Sequence, residues 1–223
     1  MSYVIIGGGP FACELLYYIK HIDIVGCNDY HIISDDFNKT LIKGMETKGL
    51  KIHKNINEFL SKIEPCRSQN IYLGSGKPQI KKRMFIEIQK YFSDELQIGN
   101  PIAMDNSTVL TKDIGIGTII GPNAIVAPMS RIGDNVLINY GSSIGHHTWI
   151  QDFACIGPNS SVGGMCTIKE GAYIGSGACI REKLIIGRNS IVGMGAVVTS
   201  NVPDDTMVVG IPAKPTLVKG GWK

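Results

Sequence analysis

The chain has 223 residues, of which 43% are hydrophobic and 18% charged, and its formal net charge is +3. This balance is typical of globular proteins, and it excludes the basic bias of a nucleic-acid-binding protein and the polarity of a disordered chain. No basic leader precedes the first apolar run, and no apolar stretch approaches the roughly 20 residues that span a bilayer, so we expect a cytoplasmic protein without a membrane partner.

The first predicted element is a β-loop-α unit. An apolar run from Tyr3 to Ile6 is followed by Gly7-Gly8-Gly9-Pro10, and the next segment places Leu15, Leu16 and Ile19 on one side of a helix. Glycine lets the backbone approach a phosphate at a helix N-terminus, although an ordinary tight turn is the alternative. The unit predicts a small parallel sheet with a ligand site at the C-terminal ends of its strands.

Two further apolar runs continue this pattern. The run over residues 31–34 is followed by Asp35 and Asp36, and the run over residues 70–73 is followed by Gly74. The two carboxylates can accept hydrogen bonds from a base or a ribose, although a solvated acidic turn is the alternative. We therefore predict an α/β domain over residues 1–100.

A repeat of six residues follows this domain. From Ile114 to Val198 every sixth residue is Ile or Val, the residue after it is often glycine, and the side chain four residues after it is usually small. Neither the period of a helix nor that of an alternating strand fits this pattern. It predicts a left-handed parallel β-helix in which each hexapeptide forms one short strand and one corner, and three hexapeptides form a coil. Since no insertion interrupts the repeat, we expect about five complete coils.

After Val198 the repeat ends, and glycines and prolines predict an extended C-terminal tail rather than a long helix. We assign residues 101–223 to the β-helix and this tail. The predicted fold is therefore an α/β N-terminal domain with a small parallel sheet, followed by a left-handed parallel β-helix.

His146 and His147 are the one paired feature within the repeats. They occupy the third and fourth positions of their hexapeptide, at an outward-facing corner, where an imidazole can take up a proton near neutral pH. Zinc is the alternative, but a zinc site needs three suitable ligands and the repeats contain no third histidine, so we predict no metal. The six cysteines show neither a CxxC pair nor metal-ligand spacing, and we expect them to be reduced.

Two glycine pairs, Gly175 with Gly177 and Gly193 with Gly195, are predicted to expose backbone N–H and C=O groups along one edge of the coils. Such an edge suits an extended ligand that contains amides, such as pantetheine. The alternative is that the turns themselves require glycine, which accounts better for the first glycine of each pair than for the second.

These features together resemble the sugar O- and N-acyltransferase family, which includes bacterial sialic acid O-acetyltransferases and UDP-4-amino-sugar N-acetyltransferases. The resemblance covers almost the whole chain. It is carried by the initial strand and glycine loop, Ser34–Phe37, Asn139–His147, Ile156–Pro158, Gly163–Gly164 and Val209–Lys214.

The resemblance implies an acetyl-CoA-dependent acyltransferase that forms a homotrimer, with active sites between adjacent β-helices. It makes His146 the general base, beside His147, and the Gly164 amide the oxyanion donor. It also implies that Asn139 approaches the acceptor amine from a neighbouring subunit.

The resemblance further implies two binding sets. The nucleotide-sugar set consists of Gly8, Gly9, Pro10, Asp35, Asp36 and Gly74. The acetyl-CoA set consists of Cys155, Gly164, Gly175, Gly177, Ala178, Gly193, Gly195, Ala196 and, near the adenine or phosphate end, Lys214.

Three positions depart from the family pattern. His147 stands where the family usually has Asp or Glu, and Cys155 stands where it has a second histidine near the thioester. The glycine loop has the sequence Gly-Gly-Pro-Phe-Ala over residues 8–12, where the family has a Gly-x-Gly-His-Gly type of loop.

We therefore predict N-acetylation of an amino-deoxy sugar linked to UDP or dTDP, for O-antigen, lipopolysaccharide or another bacterial surface glycan. A uracil or thymine base is expected because Asp35 or Asp36 can accept the N3–H of a pyrimidine imide. One alternative is O-acetylation of a sialic acid or a related sugar. The other is a non-catalytic β-helix binding module, which the missing carboxylate at His147 suggests.

Overall fold

The computed structural model of the protein describes residues 2–22, 29–34, 49–62, 69–91, 98–99, 102–104 and 106–216. The chain divides into two compact units, one of residues 1–76 and 80–100 and the other of residues 77–79 and 101–223. The separate roles that the sequence assigns to residues 1–100 and 101–223 stay a prediction.

The N-terminal unit contains the small parallel sheet that the sequence predicts, with strand order β3-β2-β1-β4. The predicted apolar side of α1 is confirmed, because Leu15, Leu16 and Ile19 are fully buried. Strand β3 was not predicted, since half of its four residues are Lys or His. The elements up to residue 89 are β1 (Ser2–Ile6), α1 (Pro10–Ile22), β2 (Tyr30–Ile33), β3 (Leu50–His53), α2 (Ile56–Lys62), β4 (Gln69–Leu73) and α3 (Pro78–Gln89).

The second unit is the predicted left-handed parallel β-helix. Fourteen two-residue strands follow one another at intervals of six residues, without an insertion. They are β7 (Ile119–Ile120), β8 (Ile125–Val126), β9 (Arg131–Ile132), β10 (Leu137–Ile138), β11 (Ser143–Ile144), β12 (Trp149–Ile150), β13 (Cys155–Ile156), β14 (Ser161–Val162), β15 (Thr167–Ile168), β16 (Tyr173–Ile174), β17 (Cys179–Ile180), β18 (Ile185–Ile186), β19 (Ile191–Val192) and β20 (Val197–Val198).

The aliphatic columns of the β-helix form its core. The second residue of each of these fourteen strands is the Ile or Val of the repeat, and none is more than 4% exposed. Each strand pairs in parallel with its equivalent one coil away, as Ile138 does with Ile156. The core is therefore one continuous cluster along the coils, as the period of six predicts.

Stacking requires glycine at the second position of the hexapeptides, whereas the turn is made at the fourth. A Cβ at Gly145 would lie 2.4 Å from the backbone N of Gly164 in the next coil. The left-handed backbone conformation falls on the fourth position, as at His147 (φ 57°) and Gly177 (φ 68°). The expectation that the turn requires the first glycine of each pair is therefore wrong, because Gly175 is needed for close approach and Gly177 makes the turn.

Additional strands extend the β-helix at both ends of the repeat. Before it, β5 (Ile102–Ala103) and β6 (Thr108–Val109) pair with β7 and β8. After it, β21 (Met207–Val209) pairs in parallel with β19, and β22 (Lys214–Pro215) returns antiparallel to β21. Before the repeat, the sequence separation of the paired residues is one residue smaller than a full coil, and after the repeat it is two residues smaller. The period of six therefore does not reveal β5, β6 and β21. As far as residue 216, the tail consists of strands and turns rather than a long helix, as predicted, and part of it belongs to the stack.

Candidate functional site

Two glycine loops pass each other at the C-terminal ends of β1 and β4, which are parallel neighbours. A Cβ at Gly7, whose φ is 124°, would lie 2.9 Å from the carbonyl oxygen of Gly74. A Cβ at Gly74 would lie 2.8 Å from the Cβ of Ala12 in α1. Both glycines therefore allow a close approach of backbone that a larger residue would prevent.

The predicted nucleotide-sugar residues Gly8, Gly9 and Pro10 lie in the first of these loops. Gly8 is buried, whereas Gly9 is exposed and a Cβ there would meet no atom within 4 Å. Helix α1 begins at Pro10, so its positive end lies at the edge of the sheet where parallel-sheet proteins bind ligands. Asp35 and Asp36 lie outside the described residues.

Two stacked corners of the β-helix carry several of the remaining predicted site residues, and the strands β8, β11, β14, β17 and β20 connect them. The glycine corner precedes these strands and consists of Pro122, Asn123, Tyr140, Gly141, Pro158, Asn159, Ser176, Gly177, Met194 and Gly195. The histidine corner follows them and consists of Pro128, Met129, His146, His147, Gly164, Met165, Glu182 and Lys183.

His146 and His147 are exposed at the histidine corner and contact each other. Their Nδ1 atoms lie 3.0 Å apart and their ring planes are inclined by 89°. The second ring nitrogen of His146, Nε2, faces Gly164, because a Cβ built on that glycine would lie 2.8 Å from it. The structure thus brings together the predicted base and the predicted oxyanion donor. In the part of the chain that the structure describes, no group of three or more His, Cys, Asp or Glu could hold a metal ion.

In the part of the chain that the structure describes, the amide N–H of Gly164 is available to a ligand. N–H groups at the third position of a hexapeptide lie outside the parallel ladder, and that of Asp134, for example, donates instead to the side chain of Asp152 at 2.9 Å. Among the described residues no group accepts a hydrogen bond from the N–H of Gly164, although its carbonyl accepts one from Lys183 at 2.9 Å. A free N–H beside an imidazole is the arrangement that a developing oxyanion requires.

Asn139 lies at the entry to the glycine corner, directly after β10. Its Oδ1 accepts a hydrogen bond from the N–H of Tyr140 at 2.8 Å. Within one chain Asn139 and His146 therefore lie at different corners. The role of Asn139 toward a neighbouring subunit stays a prediction.

The glycine corner has an open backbone surface at Gly177 and Gly195. Both are exposed, and a Cβ at either would meet no atom within 4 Å. The N–H groups of the residues before them, Ser176 and Met194, have no acceptor among the described residues. The predicted acetyl-CoA set does not include Ser176 or Met194, although their third position in the hexapeptide was an available signal.

The other predicted acetyl-CoA residues lie in different surroundings. The side chains of Ala178 and Ala196 are inside the core, and Cys155 is only 1% exposed. None of these three side chains offers a surface to a ligand in the described structure, so their contact with acetyl-CoA stays a prediction. The set also includes the closely packed Gly175 and Gly193 and the exposed Lys214 of β22.

A groove of about 470 Å³ opens beside His147, and sequence analysis did not predict it. Exposed Met129 and Trp149 contribute apolar surface to it, and an ion pair of Arg131 with Asp113, at 3.4 Å, contributes charge. Trp149 at the outward position of β12 was the available signal. The groove gives the histidine corner a neighbouring surface that combines apolar and charged side chains.

Comparison with known proteins agrees with this architecture. The profile of the bacterial transferase hexapeptide family (six repeats) matches residues 165–200. A search of curated protein sequences finds no significant relative. None of the described helices combines the length and the apolar character that crossing a bilayer requires.

Several solved structures are similar over nearly the whole chain. A mutant of perosamine N-acetyltransferase from Caulobacter crescentus, in complex with CoA and GDP-perosamine, is 21% identical, with a TM-score of 0.79 and coverage of 98% of each chain. WeeI from Acinetobacter baumannii is 24% identical, with a TM-score of 0.83 and coverage of 97% of this chain and 100% of that one. The acetyltransferase domain of PglB from Neisseria gonorrhoeae, in complex with acetyl coenzyme A, is 22% identical, with a TM-score of 0.78 and coverage of 96% and 98%. The resemblance seen in the sequence is thus confirmed at the level of the fold, which this chain shares with sugar acetyltransferases of the hexapeptide-repeat type.

Proposed function

We propose that the protein is an acetyl-CoA-dependent N-acetyltransferase that acts on a nucleotide-linked amino-deoxy sugar, for the synthesis of a bacterial surface glycan. The observation that carries the proposal is the position of His146 Nε2 beside Gly164, whose N–H has no acceptor among the described residues. Attack of an amine on a thioester needs a proton acceptor and an oxyanion donor close together. The ligands of the similar structures, CoA, acetyl-CoA and GDP-perosamine, support the same substrate classes.

The reaction needs no covalent enzyme intermediate. The sugar amine attacks the carbonyl carbon of acetyl-CoA and forms the new C–N bond, while His146 Nε2 takes a proton from the amine. The N–H of Gly164 donates a hydrogen bond to the oxyanion. When the C–S bond breaks, the CoA thiolate takes up the proton from His146, whose ring becomes neutral again. A positioned base contributes roughly 10²- to 10⁴-fold and an oxyanion donor roughly 10²- to 10³-fold.

The two substrates occupy different surfaces in this proposal. The nucleotide sugar binds at the glycine loops of the N-terminal unit, where Asp35 or Asp36 accepts the N3–H of uracil or thymine. The pantetheine arm of acetyl-CoA lies along the glycine corner, where its carbonyl groups accept hydrogen bonds from the N–H of Ser176 and Met194.

The separation of the two corners supports a homotrimer as part of this proposal. Acetyl-CoA at the glycine corner and the base at the histidine corner lie apart on one chain, and Asn139 lies at the entry to the glycine corner. The glycine corner of one copy set against the histidine corner of the next brings donor, acceptor and base together. Light scattering at assay concentration tests this, and a fully active monomer would contradict it.

The test of function combines binding with product analysis. Thermal unfolding is measured with UDP, dTDP, GDP and CMP, each with and without CoA, to identify the nucleotide. The corresponding nucleotide-linked amino sugars are then incubated with acetyl-CoA, and mass spectrometry detects the transfer of one acetyl group. The same sugars with the amine already acetylated are the control and should gain nothing.

Stabilisation by UDP or dTDP and acetylation of the amine are the expected results. Much stronger stabilisation by GDP would contradict the assignment of the base. Acetylation of a hydroxyl of sialic acid instead would favour an O-acetyltransferase. Binding of acetyl-CoA without transfer to any amino sugar would favour a binding module and overturn the proposal.

A further inference from the structure

The contact between the two imidazoles of the histidine corner restricts their protonation. A hydrogen bond between two ring nitrogens needs an N–H on one and a lone pair on the other. His146 Nδ1 and His147 Nδ1 lie 3.0 Å apart, so one of these two atoms carries a hydrogen and the other does not. The direction of this bond decides which nitrogen of His146 is basic.

The proposed role of His146 as a base determines the direction. The nitrogen of His146 that faces Gly164 is Nε2, and this nitrogen must carry a lone pair to take a proton from an acceptor amine. A neutral imidazole with a lone pair on Nε2 has its hydrogen on Nδ1. Nδ1 of His146 must therefore donate, and Nδ1 of His147 must accept.

We propose that His147 is a positioning residue whose neutral Nδ1 accepts a hydrogen bond from His146 Nδ1–H and so holds His146 in the tautomer with a basic Nε2. This inference rests on the proposed function. It accounts for the absence of a carboxylate at residue 147, since a neutral imidazole supplies the same acceptor. The backbone assists, because the N–H of His147 donates to the carbonyl of Pro128 at 3.3 Å and fixes the turn that carries both rings.

The β-helix itself offers matched variants at this position. The equivalent residues one coil before and one coil after His147 are Met129 (φ 61°) and Met165 (φ 59°), so methionine is compatible with this backbone conformation. Asparagine occupies the fourth position at other corners, as at Asn159 (φ 55°). His147→Met therefore removes the nitrogen acceptor without new backbone strain. His147→Asn restores an acceptor, because Oδ1 of Asn is attached to Cγ just as Nδ1 of His is.

Nitrogen-15 NMR of histidine-labelled protein reads the tautomer directly. The chain has five histidines, and the signals of His146 are identified by their loss in His146→Ala. We expect Nδ1 of His146 to carry the hydrogen and Nε2 to carry the lone pair in the wild type and in His147→Asn. In His147→Met we expect a mixture of the two tautomers. This measurement does not depend on acetyl transfer.

Kinetics provides the second readout. We expect kcat to fall about tenfold in His147→Met, by analogy with the roughly 10- to 100-fold losses that follow removal of the hydrogen-bond partner of a metal-bound histidine, and His147→Asn to recover most of it. A hydrogen on Nε2 of wild-type His146 would overturn the proposal, as would unchanged tautomer and kcat in His147→Met. If the tautomers behave as expected but the wild type acetylates no sugar, the positioning role stands and the proposed function fails.

Discussion

Two pairs of histidines each place two ring nitrogens about 3 Å apart, in two different settings. In the N-terminal unit Nδ1 of His31 lies 2.9 Å from Nε2 of His53, and both rings pack edge-on against Phe59. At the histidine corner His146 and His147 lie 3.0 Å apart and are exposed. Burial makes the first pair part of the core, whereas exposure beside a bare glycine leaves a ring nitrogen of the second pair open to substrate. The surroundings of a histidine pair therefore indicate whether it stabilises the core or faces a ligand better than the distance between its nitrogens does.

The largest effect, on kcat, is expected when His146 of the exposed pair is replaced. His146→Ala removes the proton acceptor and should lower kcat by about 10²-fold or more, with little change in the affinity for acetyl-CoA or in Tm. Steady-state kinetics and calorimetric binding measure these effects. If His147→Ala were inactive and His146→Ala nearly as active as the wild type, the base would be His147 instead.

The buried pair should respond in the opposite way, through stability rather than kcat. His53→Leu leaves Nδ1 of His31 buried without its partner and should lower the free energy of unfolding by about 1–3 kcal/mol. The double variant His31→Leu/His53→Leu replaces both partners by apolar groups and should be closer to the wild type at pH 8. Chemical denaturation measures both. Loss of kcat without loss of stability in His53→Leu would mean that this pair also serves the reaction.

Acid should distinguish the two pairs in a second way. Burial lowers the pKa of both His31 and His53 below the ordinary value of 6.5, and at His31 the nearby Asp29 only partly opposes this effect. The unfolded chain therefore binds more protons than the folded one below about pH 6.5, and stability is lost as the pH falls through that value. Denaturation at a series of pH values should show this loss in the wild type. A shallower loss is expected in the double leucine variant, and an equally steep one would contradict the assignment.

A smaller loss of kcat is expected when Gly164, which lies beside the exposed histidine pair, gains a side chain. A Cβ at residue 164 would lie 2.8 Å from Nε2 of His146, so Gly164→Ala must displace the exposed ring. We expect kcat to fall about tenfold because the base is misplaced, with little change in Tm. Gly163→Ala is the matched control, since its Cβ would lie 2.5 Å from the backbone N of Glu182. That variant should unfold at a lower temperature, and equal Tm values for the two would refute this distinction.

The smallest effect is expected at the glycine corner, which binds acetyl-CoA in the proposed function. Gly177→Asn keeps the left-handed turn, because Asn123 and Asn159 adopt it at the same corner, but places a side chain in open space. We expect the Kd for acetyl-CoA to rise about fivefold, equivalent to about 1 kcal/mol, with unchanged Tm and unchanged nucleotide binding. Isothermal titration measures both ligands. An unaltered Kd would place the donor elsewhere.

Sequence predicted the β-helix well because its core depends on one repeated residue. Every sixth residue from Ile114 to Val198 is Ile or Val, and the strands follow that register without interruption. Strand β3 escaped prediction because parallel pairing with β2, rather than a pattern of its own, makes Leu50–His53 a strand. The strands β5 and β21 escaped because their register is shifted by one or two residues.

The sequence locates the candidate residues of the β-helix within their hexapeptides but does not give their contacts. Counting hexapeptides places Asn139 and His146 in different repeats, and the structure indeed puts them at different corners. The bond between His146 and His147 depends on side-chain rotamers, which a repeat does not determine. The reversed roles of Gly175 and Gly177 depend on the distance between successive coils, a property of the stack rather than of one hexapeptide.

The antiparallel return of β22 has a consequence for how copies of this protein meet. A stack of parallel strands ends in a row of unpaired N–H and C=O groups, and such an edge strand can pair with another chain and grow into a fibre. Here the last parallel strand of the eight-stranded sheet, β21, is covered by β22, which reverses direction. Pro215 in β22 has no N–H to offer, so the sheet ends in a strand that is poorly suited to continue the ladder. The same short segment thus makes this edge of the eight-stranded sheet a poor template for pairing with another chain.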